Sequence, residues 1–524
     1  MDTNYTNKEG FMRSFLIILL LTLVFVFSIH TLTSVNQDIG RHLRLGEIIW
    51  QTKEVPKANL FSYTNPDFPF VNHHWLGEVF LYSGSLFVGL KGLIVLKAII
   101  ITAAFALAFF AFYKNEFDVF HAIASITSIF ILIERTDVRP EIFSFLFLGW
   151  YLFALFSEQE NISPPTRPSQ PELLRRSRQP WRSCCVASYF AEQRRRILWT
   201  LPLIQLIWVN THIYFFLGPL IFLLFFIGEW VKESKFPSNL LLPGLVVGLV
   251  NFINPNGLSG AFYPLVALNN YGYSIVENQG PFFLKAWGYP WLTTYALFLG
   301  IAFVAISFFV NLKNFRKNIF PFLLFVVSII LAFKMIRNYP VFALTMIPIS
   351  IKNFYESNFK LESRKVFMFT AIFIGILIFE VINNQIYAEA RLGRRFGLHL
   401  PEGAQAAVDF VRENNLRGPV FNNFDVGSFL IWKLPEEKVF IDGRPEAYPA
   451  DFIQNVYIPM QENPEKWEKY SKEYGVNYVF WLYTDITPWS QKLVSFILQN
   501  PDWPLIYRDG SVMIFRRVSI PIYE

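Results

Sequence analysis

Charge is the scarcest commodity in this chain. Of 524 residues only 16% are Asp, Glu, Lys or Arg, against about 25% in soluble domains, which excludes an ordinary cytosolic enzyme. Cysteine is nearly absent: Cys184 and Cys185 are the only two. Neighbouring cysteines do not suit the usual disulfide geometry, so a disulfide scaffold is excluded. Two spare thiols on a loop is the plain reading, with palmitoylation as the alternative. Histidine occurs seven times. No tight metal motif such as HExxH occurs, and no repeat period is visible. What the chain has instead is hydrophobic bulk: 53% hydrophobic residues and 58 phenylalanines. Such a composition calls for a solvent other than water, and the few charges then become the best clue to what the chain does.

A membrane-spanning helix needs about 20 mostly apolar residues. The first candidate runs from Phe11 to Val35 and has no small-residue cleavage motif, so it reads as a retained helix. Ten more follow at 92–113, 117–134, 140–157, 197–210, 212–231, 238–253, 291–311, 319–336, 338–352 and 366–386. The fold class expected is therefore a polytopic α-helical membrane protein with about eleven spans. Residues 79–90 are apolar but too short to cross, and Gly84 and Gly89 interrupt them. They read as an interfacial or re-entrant helix feeding the span from Gly92.

Lys and Arg in short loops set the orientation. The loop at 158–196 carries Arg167, Arg175, Arg176, Arg178, Arg182, Arg194, Arg195 and Arg196. The loops at 312–318 (Lys313, Arg316, Lys317) and 352–365 (Lys352, Lys360, Arg364, Lys365) are also basic. All three fall on one side, the cytoplasmic side, with the N-terminus inside. The 158–196 loop is rich in Pro, Ser and Arg and reads as a linker. Its charge is explained by topology, and no nucleic acid is expected as a partner. The first outer loop, 34–91, then faces outside, and so does everything after about 387.

From Tyr387 onward 33 of the 138 residues are charged, the proportion of a soluble domain. Short β-rich runs at Pro419–Phe424, Lys438–Asp442, Val476–Tyr483 and Ser511–Arg516 alternate with helix-like stretches at Glu402–Asn414, Glu465–Tyr474 and Trp489–Gln499. Asp509-Gly510 marks a hairpin. The expected organisation is a transmembrane domain, 1–386, followed by an extracytoplasmic soluble α/β domain, 387–524.

Two groups of side chains could carry chemistry. The first is in the outer loop, where Asp38 and His42 are four residues apart, on one face of a helix. His73, His74 and Glu78 follow just before the interfacial helix. Ionisable groups at a membrane surface are costly unless used. Asp38 could act as a general base. Alternatively Asp38, His42, His73 and His74 could bind a divalent metal. No cofactor is fixed by the sequence, and a solvated polar loop is the plain alternative to both. The second group is cationic: Arg135 and Arg139 flanking Asp137, Arg337 in MIRNYP, Lys285 in VENQGPFFLKAW with Glu277 nearby, and His212 in WVNTHIYFF. Outer loops should be poor in arginine. A guanidinium there can clamp a phosphate with two parallel hydrogen bonds, or simply reach the lipid headgroups.

The order of these parts resembles the type C (GT-C) membrane glycosyltransferases: one span, an outer loop opening on an Asp, an interfacial helix, many spans and an outer C-terminal domain. More closely, QDIGRHLRLGEII, VPKANLFSYT, NHHWLGEVFLY, VRPEIFSF, LIWVNTHIYFFLGP, INPNG, RNYPVFAL and VFNNFDVGSFLIWKLPEEKVFIDGRPEAY look like a group of bacterial multi-pass proteins near that superfamily. The similarity covers nearly the whole chain apart from 158–196. It implies a GT-C-like enzyme of the bacterial inner (cytoplasmic) membrane, with a polyprenyl-phosphate-linked sugar as donor, a glycan, lipid or protein as acceptor, and membrane lipids around it. Asp38 would be the general base or acceptor-orienting acid of an inverting transfer. His42, His73 and His74 would line the cavity, with Arg135, Arg139 and Arg337 holding the phosphate. Asp425, Asp442, Arg444 and Glu446 of the outer domain would face the acceptor or, equally, close a strand end. A transporter of lipid-linked saccharide and a non-catalytic assembly or sensor protein are the competing readings.

The orientation is directly testable. An alkaline phosphatase fused after Glu524 should be active, and an inactive fusion with an active cytoplasmic reporter at the same site would reverse the topology.

Overall fold

The structure, a computed structural model, describes residues 3–32, 38–114, 117–161, 197–266, 271–273, 275–286, 288, 291–359, 364–390, 393–400 and 403–518. Most of the basic 158–196 segment, including both cysteines, lies outside these residues. Long apolar runs become helices because a helix satisfies its own backbone hydrogen bonds where water is absent. In chain order these are α1 (Thr3–Ser28), α2 (Ile39–Thr52), α3 (Trp75–Phe110), α4 (Val119–Leu132), α5 (Glu141–Asn161), α6 (Thr200–Thr211), α7 (Leu217–Glu233), α8 (Ser238–Leu249), α9 (Gly257–Val266), α10 (Leu292–Val310), α11 (Ile319–Lys334), α12 (Tyr339–Glu356) and α13 (Arg364–Ile382).

Among the described residues seven helices are long and apolar enough to cross a bilayer, or eight if the pair α8 and α9, bent by 99°, forms one span. The other three expected spans are shorter or less apolar. Segments 117–134, 197–210 and 338–352 become α4, α6 and α12, with 14, 12 and 18 residues. These helices pack against other helices, and α12 is buried almost throughout. A helix enclosed by protein needs neither the length nor the uniform apolarity of one facing lipid. By contrast α13 leaves Met368, Phe369, Ile372, Phe373, Ile376 and Phe379 exposed, as a lipid-facing helix does. The segment 79–90 is helical through Gly84 and breaks only at Gly89, whose φ of 66° is open to glycine. The break separates the Trp75 end of α3 from its continuation after Gly89.

The described residues of the basic loops share one end of the bundle. Lys232 donates to the Gln159 carbonyl (3.2 Å), Gln159 donates to the Lys317 carbonyl (3.5 Å), and Asn318 donates to Glu356 (2.6 Å). Helices α5, α7 and α12 run away from this cluster, so Glu141, His212 and Arg337 gather at the opposite end.

The tail forms a four-stranded sheet of β1 (Val420–Asn422), β2 (Tyr478–Leu482), β3 (Leu505–Arg508) and β4 (Val512–Arg516), in the order β1-β2-β4-β3. β1 and β2 are parallel and the other pairs antiparallel, with β3 and β4 joined by the expected hairpin. Helices α14 (Gln405–Glu413), α15 (Phe424–Lys433), α16 (Pro464–Glu473) and α17 (Pro488–Ile497) complete it. Alternate residues serve opposite faces. Val479, Trp481, Met513 and Phe515 pack into one apolar cluster, and Tyr478, Phe480, Val512 and Ile514 into the other. Both faces are thus covered, as a partly parallel sheet requires. Two local expectations change. Lys438–Asp442 is not a strand of this sheet, and FDVGSFLIWK, which begins inside an expected strand, is the helix α15.

The 438–442 run pairs with the first outer loop instead. The Val439 N–H donates to the Phe61 carbonyl (2.9 Å), and the Ser62 and Thr64 hydroxyls donate to the Phe440 carbonyl (3.2 and 2.8 Å). Arg444 completes the joint. Fully buried, it donates to both Asp442 oxygens (2.7 Å each) and to Asn59 (2.9 Å), while Phe61 and Phe70 lie against its guanidinium. Asn59 in turn donates to the Ala447 carbonyl (3.1 Å) and Tyr448 to Asp442 (2.8 Å). The Asp–Arg pair of the FIDGRPEAY motif is therefore a fastening between the tail and the 34–91 segment.

Removing one partner of such a pair leaves an uncompensated buried charge. Asp442→Ala should destabilise the protein by about 3–5 kcal/mol, seen as a lower thermal midpoint in detergent, whereas an unchanged midpoint would show that the pair fastens nothing.

Candidate functional site

Asp38 stands at the first turn of α2, pressed from the tail side. A Cβ on Gly40 would collide with the Ser428 carbonyl oxygen of α15, and a Cβ on Gly443 would sit 2.8 Å from Asp38 Oδ1. Only glycines let these backbones meet here. The tail thus fixes the position of a carboxylate that belongs to the membrane part.

Asp38 opens onto a cavity of about 560 Å³, walled by the first outer loop, the 135–141 turn, Glu277, Arg337 and the tail. One wall is a guanidinium cluster. Arg135 (2.5 Å), Arg139 (2.8 Å) and Arg337 (3.0 Å) all reach the single carboxylate of Glu277. Arg135 also pairs with Glu141 (2.8 Å), and Arg139 lies 4.0 Å from Asp38. Burial pushes the Glu277 carboxyl up, but the three arginines outweigh it and hold it well below its usual value. Asp38 follows the same pattern: burial raises it, while Arg41, 3.3 Å away, and Arg139 bring it below the usual carboxylate range. It is an anion at neutral pH. The alternation in ERTDVRP explains the wall's origin. Arg135 and Arg139 line the cavity, whereas Asp137 pairs with Arg394 (2.8 Å). Arg394 also donates to the Ile133 carbonyl (2.8 Å), which pins the turn.

The opposite wall is neutral and aromatic. The rings of His42 and His74 lie 5.5 Å apart, His73 and His74 3.9 Å, and His74 and His212 5.1 Å, with His73 stacked on Tyr263. Burial pushes the His73 imidazole down to about 3 and takes His42 and His74 well below their ordinary value, so all three are uncharged at pH 7. Their orientation is set from behind. His42 Nδ1 lies 2.9 Å from Glu78, which accepts from Asn72 (2.7 Å), and Ser144 Oγ lies 3.0 Å from His212 Nδ1. The quoted motifs lock into one another here: Trp75 donates to Asn210 (2.9 Å) and Tyr214 to the Arg337 carbonyl (3.0 Å).

Of the residues singled out in the sequence, Asp38, His42, His73, His74, Arg135, Arg139, His212 and Arg337 all line this cavity. Glu78 stands behind it as a support for His42. Lys285 does not join them. It is exposed and lies over the Trp291 ring at 5.2 Å, because the short helix Pro281–Ala286 separates it from Glu277. His30 is also elsewhere, buried 2.8 Å from Lys97 and bonded to Thr136. Sequence reasoning missed the site roles of Arg41 and Glu277. Glu277 left a signal, as the only acid in the 254–290 loop. From the tail, Asp425, Glu446 and Asp485 reach the cavity, whereas Asp442 and Arg444 do not. Among the described residues no group of three or more His, Cys, Asp or Glu is arranged to hold a metal ion, and the Asp38 and Glu277 carboxylates already face guanidiniums.

No family model matches the chain, and no curated protein matches it in sequence. Solved structures do. The oligosaccharyltransferase AglB from Archaeoglobus fulgidus, an archaeal enzyme solved with an inhibitory peptide and a dolichol-phosphate, superposes with a TM-score of 0.58 at 12% identity, over 98% of this chain and 75% of that one. The apo form of an Archaeoglobus fulgidus oligosaccharyltransferase gives 0.54 at 14% identity, over 90% and 69%. The chain shares the fold of these two oligosaccharyltransferases. The resemblance read from the order of the parts is thus supported by the fold.

Asp425 provides a test of the cavity's electrostatics. It is open to the cavity, yet burial, together with Asp485, Asp38 and Glu277, pushes its carboxyl up to about 7. It is protonated below that pH and ionised above it. Infrared difference spectra should show a carboxylic acid band lost as pH rises through 7, and absent from Asp425→Asn. A band titrating near the ordinary value of about 4 would refute the enclosure.

Proposed function

We propose that this chain is an inverting membrane glycosyltransferase that moves a sugar from a lipid-linked phosphate donor to an acceptor on the outer face of the bacterial inner membrane. Residues 1–386 form its catalytic membrane domain and 387–524 its extracytoplasmic domain. One observation carries the reading: an ionised Asp38 and the three-arginine wall face the same cavity at the end of the bundle opposite the basic loops. The neighbour solved with a dolichol-phosphate and a peptide supports a lipid-linked phosphate donor and a peptide or glycan acceptor.

The chemistry follows from the two walls. Asp38, fixed by Arg41 and by the tail, takes the proton from the attacking acceptor group as the new bond to the anomeric carbon forms. The sugar–oxygen bond breaks on the opposite side, which inverts the centre, and negative charge grows on the departing lipid phosphate. Arginines placed in advance favour that charge without reorganising. Glu277 now holds all three, so the phosphate takes over bonds that this carboxylate makes. The neutral His73, His74 and His212 rings and Tyr263 offer stacking faces to the sugar.

The experiment is sugar transfer in proteoliposomes carrying radiolabelled polyprenyl-phosphate glucose or mannose, with a cell-envelope extract as acceptor. Asp38→Asn should lower turnover by about 10²–10⁴-fold with donor binding intact. Equal turnover in both would remove Asp38 from the mechanism and favour a transporter or assembly role. The same assay with EDTA reads metal dependence.

A further inference from the structure

A second cavity, an open groove of about 940 Å³, shares no lining residue with the first. It is framed by the end of α2 and the segment after it, by the start of α3 and by the corner between α8 and α9. Trp50 and Leu60 line it and are 47% and 42% exposed, which is costly for apolar side chains in water. Trp75, Val79 and Pro255 add to the apolar lining. Trp75 is held in place, because Asn210, which accepts from its indole, donates to the Ile253 carbonyl (3.0 Å). Apolar surface adjoins the groove on two sides. Past Val79 the helix exposes Phe80, Leu86, Phe87 and Val88, and before Pro255 the chain exposes Phe252 and Ile253. Exposed apolar surface of this extent marks a side that faces membrane. The rim differs from the lining. Lys53 and Lys57 are exposed on it, and neither forms an ion pair among the described residues. Glu54 is also on the rim and offsets one of them, which leaves one net positive charge. Lys53 ends α2 in the left-handed region (φ 60°), where glycine is usual, and turns back over the Trp50 ring at 4.4 Å.

We infer that this groove seats one anionic phospholipid of the outer leaflet, with an acyl chain along Trp75, Val79 and Pro255 and the headgroup phosphate at Lys53 and Lys57 beside Trp50. The occupant is a lipid because the apolar lining adjoins lipid-facing side chains on both flanks. Tryptophan and lysine together suit the level where tails meet headgroups. The lipid is anionic because the rim is net positive, and a zwitterionic headgroup would bring its own ammonium against the lysines. The site is separate from the transfer reaction and does not depend on Asp38.

The full chain, one per phosphatidylcholine nanodisc, can be read by tryptophan fluorescence. Phosphatidylglycerol or phosphatidylcholine with brominated acyl chains is added as the minor lipid. Bromine quenches indoles that it touches, so the difference between wild type and Trp50→Phe isolates the groove. Brominated phosphatidylglycerol should quench this component at about fivefold lower content than brominated phosphatidylcholine, as one net positive charge at the surface predicts. Lys53→Gln combined with Lys57→Gln should bring the two lipids to parity or reverse them, at an unchanged thermal midpoint. A preference that survives in the double variant overturns the headgroup assignment. Equal quenching by both lipids in wild type overturns the anionic one, and a Trp50 component that neither lipid quenches overturns the lipid itself. Quenching seen with one chain per disc and lost with two would give the groove to a second copy and overturn the lipid as its occupant.

Discussion

The ion cluster on Glu277 is the interaction on which the rest of this end of the molecule depends. Three guanidiniums within 2.5 to 3.0 Å of one carboxylate would repel one another without it, and in a water-poor wall that repulsion is large. The carboxylate draws together the 135–139 turn, the 276–278 turn and the 336–338 turn, which come from distant parts of the sequence. Charges held this way gain little net stability over an apolar wall. What they provide is a positive surface set in place before any ligand arrives.

Much of this was legible in the sequence because charge was so rare. Arginine in outer loops goes against the usual bias, so Arg135, Arg139 and Arg337 stood out, and the structure brings them together. The same rule pointed to Lys285, which instead lies over Trp291. A cation's type and loop do not say which way its helix turns it. Arg41 was hidden for another reason. It sits near Arg44 and Glu47 on an amphipathic helix, where most charges are solvated, and its burial comes from tertiary packing that leaves no local pattern. Glu277 was seen as a neighbour of Lys285 and not as the hub of three arginines from other segments, because ion pairing at such separations leaves no local pattern.

The fold divides in the same way. Long apolar runs gave the spans and alternation gave most of the sheet, since both depend on local period. The errors lie where tertiary packing overrides it. Three apolar stretches became α4, α6 and α12, of which α12 is enclosed by the bundle, and 438–442 paired with 61–64 and not with the sheet. Its alternation is that of a strand, but the partner that satisfies its backbone comes from 61–64.

The fastening of Arg444 and Asp442 to Asn59 has a consequence for the making of the protein. The cavity is walled by residues from Asp38 to Thr487, so its first and last walls are separated by nearly the whole of synthesis. Until the tail has folded and docked, Asp38 lacks the backbone that presses it into place. A chain still being inserted into the membrane therefore has no assembled cavity.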